Sequence, residues 1–312
     1  MSGVKLMASS FLLRLGIRYL LRDPEKNLPS LVRWARWTAL LSRHKKLLQE
    51  LDAAISDPSN HWLQLYRRAC RQLHPYVREK ALYNFFLNAG LVGMPRIDAT
   101  RRKTGINIPW AILMDPTSAC NLDCTGCWAA DYEKGAQLPK ETLDRIITEG
   151  KALGIYMYLY SGGEPLLRFA DIEALAKKHS DCMFLAFTNA TLVTEEMAAR
   201  MAEAGNIVPA VSIEGFAAET DMRRGAGTFA KVVTAMETLK RHGVAFGFSA
   251  CYHSRNTEAV AGEDFLDFLI EQGCLFGWYF TYMPLGKKAD VSLLATTRQR
   301  ELMYHTVRKF RR

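Results

Sequence analysis

Hydrophobic residues follow two different patterns in the two parts of the chain. Up to about residue 90 they return every three or four positions, as they do along one side of a helix. From about residue 108, short apolar runs alternate with longer helical segments. We therefore predict two domains: an all-α N-terminal extension over residues 1–106 and an α/β domain over residues 107–312.

The N-terminal extension is predicted to contain four helices. Arg14, Arg18 and Arg22 fall four positions apart and form a basic stripe on the first, otherwise apolar helix. An Asp-Pro pair ends this helix, an Asp-Pro-Ser-Asn turn precedes the third, and Pro75 suits the first turn of the fourth. The predicted helices are 11–22, 30–51, a third that ends near 73, and 75–90.

The second part is predicted to form six strand–helix units, the pattern of a parallel sheet with helices outside it. The predicted strands are 110–114, 156–160, 183–188, 207–212, 245–251 and 276–282. The predicted helices are 140–153, 169–179, 194–204, 228–242, 263–272 and 297–310. Six units fall short of the eight of a closed barrel, so we predict a partial (β/α)6 TIM-like barrel. In such barrels, sites form at the carboxyl ends of the strands.

The composition is that of an ordinary globular protein, with 49% hydrophobic and 23% charged residues in a chain of 312. The formal net charge is +9, and much of the basic excess precedes residue 50. Solvated helix faces, nucleic acid and an anionic membrane surface are the alternatives that such an excess leaves open. We do not expect nucleic acid as a partner.

The N-terminal apolar run, residues 11–21, is neither a signal peptide nor a membrane span. It contains Arg14 and Arg18, no small-residue cleavage site follows it, and it is too short to cross a bilayer. With no other long apolar run, the protein is expected to be cytoplasmic. Trp34 and Trp37 on the second helix either pack in the core or, beside the basic helix, make peripheral membrane contact.

Three cysteines stand in one short loop after the first predicted strand. Cys120, Cys124 and Cys127 have the spacing C-x3-C-x2-C, which lets one loop aim three sulfurs at a soft metal or an iron–sulfur cluster. Three ligands instead of four leave one metal position open for another molecule. The seven cysteines are too few and too unevenly placed for a disulfide framework, which fits a reducing compartment.

Two other metal sites are weighed against this one. Structural zinc takes four protein ligands, so the fourth would have to come from His179 or Cys182. A cluster used only for electron transfer would also take four cysteines. Neither explains the Ser-Gly-Gly-Glu-Pro stretch 161–165 at the end of the second strand, where two glycines allow close backbone approach to a ligand.

Together the cysteine loop, this glycine stretch and the six units resemble the radical S-adenosylmethionine (radical SAM) enzymes. The resemblance covers about residues 107–290. It implies that Cys120, Cys124 and Cys127 hold a [4Fe–4S] cluster whose fourth iron binds S-adenosylmethionine, and that the backbone of Gly162, Gly163 and Glu164 contacts the methionine amino group. It also implies an electron donor such as flavodoxin or ferredoxin, and a 5′-deoxyadenosyl radical that abstracts hydrogen from the substrate.

Softer matches and one departure complete the resemblance. Asn189 closes strand three, Ser212 and Glu214 close strand four, and Met283 follows strand six, where the family contacts the cofactor's ribose, methionine and adenine groups. The family usually has an aromatic residue just before the third cysteine, whereas this chain has Gly126, and Trp128 follows the cysteine instead. No cysteine-rich extension follows the sixth unit in this sequence, so either the natural chain continues beyond residue 312 or the enzyme works with the single cluster of this core.

The substrate is not named by these motifs. A small molecule or a lipid is expected, and the basic, tryptophan-bearing helices favour a membrane-associated one. The N-terminal helices or the substrate itself are the candidates to close the mouth of the barrel. The alternative function is that of a non-catalytic iron–sulfur or zinc-binding protein.

Overall fold

The computed structural model describes residues 15–37, 45–133, 135–286 and 289–311. Six strands form one sheet in which each strand pairs in parallel with the next, in the order β1-β2-β3-β4-β5-β6. The strands are β1 Ala111–Met114, β2 Met157–Tyr160, β3 Met183–Thr188, β4 Ile207–Ser212, β5 Gly247–Tyr252 and β6 Gly277–Thr281. All six lie within two residues of their predicted bounds, and the predicted partial barrel is confirmed.

Helices cover the convex side of this sheet. They are α7 Lys140–Leu153, α8 Phe169–Lys178, α9 Glu195–Ala204, α10 Ala217–Arg224, α11 Thr228–Arg241, α12 Thr257–Ala261, α13 Glu263–Gln272 and α14 Thr297–Phe310. The six predicted helices are present. The prediction missed α10 and α12, because eight and five residues are too few to display a helical repeat of apolar positions.

The main core lies between the sheet and these helices. Tyr158, Tyr160 and Phe184 are fully buried there, and their rings stack with centroids 5.8 and 5.9 Å apart. The Tyr158 hydroxyl donates to the carbonyl of Ile147 on α7, at 2.9 Å, so its polar atom is satisfied. Burying side chains of this size contributes about 1.5–3 kcal/mol each.

Helices also precede the sheet. They are α1 (15–22), α2 Pro24–Trp37, α3 Lys45–Ser56, α4 His61–Gln72, α5 Pro75–Ala81, a π-helical stretch Leu82–Gly93 and α6 Met94–Thr104. The predicted break at residue 23 is confirmed. The predicted start of the second helix at residue 30 was wrong, because Pro24 takes the first helical position. The predicted residues 1–14 and 38–44 lie outside the described residues.

The fourth helix does not end at Gly90, where the prediction placed its end. The helical backbone continues through the π-helical stretch into α6, because an isolated glycine inside a helix is tolerated at a cost of about 1 kcal/mol. The stop is Gly105, which has a left-handed φ of 71° and donates to the carbonyl of Arg101. The domain boundary at 106/107 stays a prediction.

Residues 61–104, which we call the basal helices, pack against the turns that enter the strands. Arg68 donates to the carbonyl of Cys274 before β6 at 2.7 Å, and the backbone of His74 donates to Gly243 before β5 at 2.9 Å. Further along, the amide of Asn84 donates to the carbonyl of Cys182 before β3 at 2.9 Å. Along the chain, the basal helices therefore contact the amino ends of the strands in reverse order, from β6 towards β1.

A close contact between two glycines completes this path. A Cβ on Gly93 would lie 2.3 Å from the carbonyl oxygen of Gly154, in the turn before β2, so only glycine fits there. The basal helices thus cover the amino ends of the strands, opposite to the cysteine loop. The expectation that the N-terminal helices close the mouth is wrong for these helices.

Trp34 does not pack in the core, which was one of its two predicted environments. Its side chain is 44% exposed, and with Leu15, Gly16, Tyr19, Ser30 and Leu31 it lines a groove of about 390 Å³. The side chain of Trp37 lies outside the described part of the structure. Among the described residues, no helix is both long enough and apolar enough to cross a membrane.

Candidate active site

The cysteine loop follows β1 directly and lies at the carboxyl edge of the sheet. Its thiols are free, with Cys120 exposed and Cys124 and Cys127 half-buried. The backbone of Thr125 donates to the carbonyl of Arg223 at the end of α10, at 2.8 Å, and this bond fixes the middle of the loop. The loop is therefore held from below by the element that follows β4.

The glycine stretch after β2 is bonded to the residues that lead into the cysteine loop. The backbone N–H of Gly163 donates to the carbonyl of Thr117 at 2.9 Å, and that of Glu164 donates to Ala119 at 2.8 Å. A Cβ on Gly163 would lie 2.1 Å from the Ala119 oxygen. The two predicted motifs thus form one backbone unit, and glycine is required where they touch.

The side chain of Glu164 points into the protein and connects β2 with β3. It is 1% exposed and accepts from the Thr188 hydroxyl at 2.7 Å and from the backbone of Asn189 at 2.8 Å. Burial raises the pKa of this carboxyl above its usual range, although these hydrogen bonds oppose the shift. The carboxyl therefore positions the strand ends, and only the backbone of residues 162–164 is left to meet a ligand.

Asn189 links β3 to the first cysteine. Its amide nitrogen donates to the side-chain oxygen of Asn121 at 2.9 Å and lies 4.0 Å from the sulfur of Cys120. Its amide oxygen accepts from the backbone of Thr191 at 3.0 Å. The asparagine is buried, so it orients the start of the loop, and its predicted contact with the cofactor stays a prediction.

Glu214 is the centre of a buried ionic network beneath the loop. It has no exposed surface, and one carboxylate oxygen accepts from Arg223 at 2.6 Å and from Arg224 at 2.9 Å. Its second oxygen accepts from the backbone of Cys251 at 2.9 Å. Burial alone would raise the pKa of Glu214, but the two guanidinium groups hold it below its usual range.

The same arginines act on a thiol of the loop. Burial raises the pKa of Cys124, whereas the positive charges of Arg224 and Arg223 oppose that rise. With one carboxylate between two guanidinium groups, the network keeps a net positive charge next to this sulfur. Such a charge favours a thiolate or another anion at the loop.

Ser212 and Met283 occupy different surroundings at the same edge. The Ser212 hydroxyl lies 3.1 Å from that of Ser249 on the neighbouring strand, facing the concave side of the sheet. Met283 is 63% exposed in the segment that follows β6. Both lie near the loop end of the barrel, and their contacts with a cofactor stay predictions.

An aromatic ring from another part of the chain lies beside Gly126, the position before the third cysteine where an aromatic residue was expected. Gly126 has a φ of 64°, and a Cβ there would lie 2.6 Å from a ring carbon of Tyr282. Tyr282 is 2% exposed, and its hydroxyl accepts from the backbone of Asp290 at 2.9 Å. The glycine therefore makes room for a ring that follows β6, a pairing between distant positions that spacing alone does not indicate.

Replacing Gly126 by alanine is predicted to disturb the cysteine loop. The left-handed φ costs alanine about 1 kcal/mol, and the collision with Tyr282 adds about 1–3 kcal/mol. Gly105→Ala is the matched control, because its φ is 71° and no atom lies within 4 Å of the added Cβ. Free energies of unfolding from urea titrations check this, and equal losses in the two variants would contradict the role given to Tyr282.

The zinc alternative loses its proposed fourth ligand. His179 and Cys182 lie before β3, at the amino ends of the strands, and the imidazole of His179 is bonded to Asp144 at 2.8 Å. They are therefore at the opposite end of the sheet from the loop. Across the part of the chain that the structure describes, no three His, Cys, Asp or Glu side chains are already gathered into a metal-binding group.

The residues present fit a cluster with three protein ligands and one open position. Three free thiols share one loop, the arginine pair favours negative charge beside Cys124, and the backbone at Gly163 is in close contact with the loop. The carbonyl oxygens of Gly162 and Gly163 would be the acceptors for an amino group bound at the open position. The loop, the glycines and the network belong to neighbouring strand ends.

Comparison with known proteins identifies the domain. Residues 114–261 match the family model of the radical SAM superfamily. An AdoMet-dependent heme synthase of Methanosarcina barkeri is 29% identical over 187 residues, which are 58% of this chain and 53% of the relative. The mycofactocin maturase MftC of Mycobacterium ulcerans is 31% identical over 145 residues, 45% of this chain and 39% of the relative. The chain thus spans about half the length, or less, of these curated relatives.

Solved structures share the fold. SuiB of Streptococcus suis bound to S-adenosylmethionine has a TM-score of 0.57 and 18% identity, with 87% of this chain and 59% of that chain covered. The structure of anSMEcpe with bound AdoMet and a Cp18Cys peptide has a TM-score of 0.54 and 23% identity, with 65% and 59% covered. Residues 114–261 therefore form a domain of the radical SAM superfamily, and the half-barrel around them is the fold of these structures.

Proposed function

We propose that this protein is a radical SAM enzyme whose [4Fe–4S] cluster is held by Cys120, Cys124 and Cys127. The observation that carries the proposal is the backbone unit in which Gly163 and Glu164 are bonded to the residues leading into the cysteine loop. When bound, the reduced cluster and S-adenosylmethionine supply a 5′-deoxyadenosyl radical that abstracts hydrogen from an unreactive C–H group of the substrate.

The protein's own residues position these groups and control the surrounding charge. Glu164 and Asn189 hold the ends of β2 and β3 against the loop, while Glu214 fixes the two arginines. The carbonyls of residues 162 and 163 are available to an amino group, and the arginine pair favours anions near Cys124. An electron donor such as flavodoxin or ferredoxin is part of the proposal.

We further propose that the substrate is lipid or membrane-associated and that the N-terminal helices contact the membrane peripherally. Support comes from the groove beside Trp34 and from the exposed Arg18, Arg22 and Arg33 on the same two helices, α1 and α2. An apolar groove with basic residues around it is complementary to an anionic bilayer surface.

Anaerobic assay tests the enzymatic proposal. The protein is reconstituted with iron and sulfide, reduced with dithionite in the presence of S-adenosylmethionine, and 5′-deoxyadenosine is measured by chromatography. The wild type should form it and Cys124→Ala should not, whereas Cys70→Ala, outside the loop, should resemble the wild type. A wild type that carries the cluster but forms no deoxyadenosine would refute the proposal.

Vesicle sedimentation tests the membrane contact separately. The protein should sediment with phosphatidylcholine vesicles that contain phosphatidylglycerol and stay in solution with phosphatidylcholine alone. Trp34→Ala should reduce binding, and Phe310→Ala, which removes an equally exposed aromatic residue from α14, should not. Equal sedimentation with both kinds of vesicle, or none with either, would remove the basis for a membrane-bound substrate.

A further inference from the structure

The concave face of the sheet carries a continuous apolar surface below the cysteine loop. Side chains alternate between the two faces of a strand, and the register places Leu113 beside Leu159 and Leu159 beside Leu185. Phe187 stands two residues beyond Leu185 and so shares its face. Three neighbouring strands therefore present one row of apolar side chains on the same side.

Ring contacts identify this side as the concave one. Phe187 on β3 lies 5.7 Å from Trp278 and 5.5 Å from Phe280, both on β6, measured between ring centroids. Strands β3 and β6 are separated by β4 and β5, so side chains of these two strands meet only across the hollow of the curved sheet. We call the surface formed by Leu113, Leu159, Leu185, Phe187, Trp278 and Phe280 the apolar trough.

The trough is open to solvent at its two edges and closed only at its centre, where Leu185 is buried, whereas the opposite face is covered throughout. Leu113 is 55% exposed and Phe280 is 43% exposed, whereas Tyr158, Tyr160 and Phe184 on the convex face are fully buried. An apolar surface inside a concavity is costly to leave against water and is the usual lining of a ligand-binding site. Its position in the fold, directly below the loop end of the strands, joins it to the proposed site.

The trough also contains no charged side chain that could pair with a charged group of a ligand. No residue of the six strands is charged, and the hydroxyls of Ser212 and Ser249, which lie between β3 and β6, face each other at 3.1 Å. A carboxylate or phosphate placed here would lose its hydration without gaining a cation. The charged residues of the site, Glu214 and its arginines, lie beyond the strand ends.

We infer that the substrate places an uncharged hydrocarbon group in this trough and that Phe187, Trp278 and Phe280 select it. The inference rests on the proposed function and specifies the class of its substrate. A polar or charged part of the same molecule would have to remain outside the strands. Both a linear chain and a flat ring system would satisfy the trough, and the test distinguishes them.

The experiment measures binding of two probes to the protein without iron or S-adenosylmethionine. cis-Parinaric acid, a fluorescent linear polyene, and 1-pyrenemethanol, a flat ring system, are titrated separately, and tighter binding of one identifies the shape preferred. Phe280→Glu should weaken probe binding about tenfold or more, since it buries a charge beside the probe. Phe310→Glu, at a residue with 46% exposure on α14, should bind like the wild type.

Two further variants keep the test decisive. Leu113→Glu alters an exposed position on the edge strand β1, so it should weaken binding even if Phe280→Glu fails to fold. Trp34→Glu alters the N-terminal groove and should have no effect. Unchanged binding in folded Phe280→Glu and Leu113→Glu, or loss of binding in Trp34→Glu, would overturn the inference. Because no cofactor is present, this result is independent of deoxyadenosine formation.

Discussion

Glu214→Ala is expected to destabilise the protein by about 3–5 kcal/mol, because it leaves two buried guanidinium groups without their counter-ion. Glu214 has no exposed surface, and Arg223 is 7% exposed, so water cannot replace the lost carboxylate. Equilibrium unfolding in urea measures the effect. Glu196→Ala is the control, because it removes a carboxylate that is 81% exposed beside Arg200, where less than about 1 kcal/mol is expected.

Loss of the Glu214 carboxylate should also displace the cysteine loop. Arg223 accepts the hydrogen bond from Thr125 through its backbone carbonyl, at 2.8 Å, so movement of the arginine moves the loop. We therefore expect Glu214→Ala to bind less iron on reconstitution than Glu196→Ala at a temperature where both are folded. Equal stability and equal iron content in the two variants would contradict the central position given to Glu214.

The network also predicts a pH dependence. The pKa of Glu214 in the folded protein lies below its ordinary value of 4.5, so its charge stabilises the folded state fully above that pH. The stabilisation is lost as the pH falls through the lower pKa of the folded state. The difference in unfolding free energy between the wild type and Glu214→Gln should therefore be largest near neutrality and shrink below about pH 4.5. A difference that grows on acidification would contradict this assignment.

The fold was predictable because its elements are strongly patterned. Each strand is a short apolar run, and the helix that precedes it ends at a glycine or a polar residue. The bounds of β3 and β4 were predicted without error. The basal helices were harder. Their position is set by single hydrogen bonds to backbone carbonyls, such as that from Asn84 to Cys182, and no periodic pattern encodes such a bond.

The candidate site also has a part that was predictable from the sequence and a part that was not. Cys120, Cys124 and Cys127 and the Gly-Gly-Glu segment are local motifs, so their spacing was sufficient to place them at neighbouring strand ends. The contact between Gly126 and Tyr282 joins residues that are far apart in the sequence. The ion pair between Glu214 and Arg223 is buried inside the protein. Only the folded chain brings these groups together, and they account for how the loop is held.

The apolar trough shows a third case, in which the residues were visible but their role was not. Phe187, Trp278 and Phe280 lie in predicted strands. Apolar residues on both faces of a strand ordinarily indicate that helices cover both sides of the sheet. In a half-barrel helices cover the convex face, while the concave face stays open at its edge strands, where Leu113 and Phe280 are exposed. The same apolar residues on the concave face therefore become a surface for a ligand, a distinction that depends on the curvature of the sheet.

Gly163→Ala is expected to have the largest effect on the chemistry of the site. The added Cβ would lie 2.1 Å from the carbonyl oxygen of Ala119 and 2.5 Å from its carbon, and backbone atoms cannot rotate away as a side chain does. The hydrogen bonds from Gly163 to Thr117 and from Glu164 to Ala119 must then lengthen, which separates the glycine stretch from the cysteine loop.

We expect Gly163→Ala to stay folded, with a loss of about 1–3 kcal/mol, but to bind S-adenosylmethionine at least about tenfold more weakly after reconstitution. Displacement of a positioning backbone by about 1 Å lowers rates by about a hundredfold, so deoxyadenosine formation should fall by at least that factor. Equilibrium dialysis and the anaerobic assay measure the two effects. Gly227→Ala has no atom within 4 Å of the added Cβ and serves as control. Wild-type binding and turnover in Gly163→Ala would show that the close contact between the two motifs does not hold the cofactor.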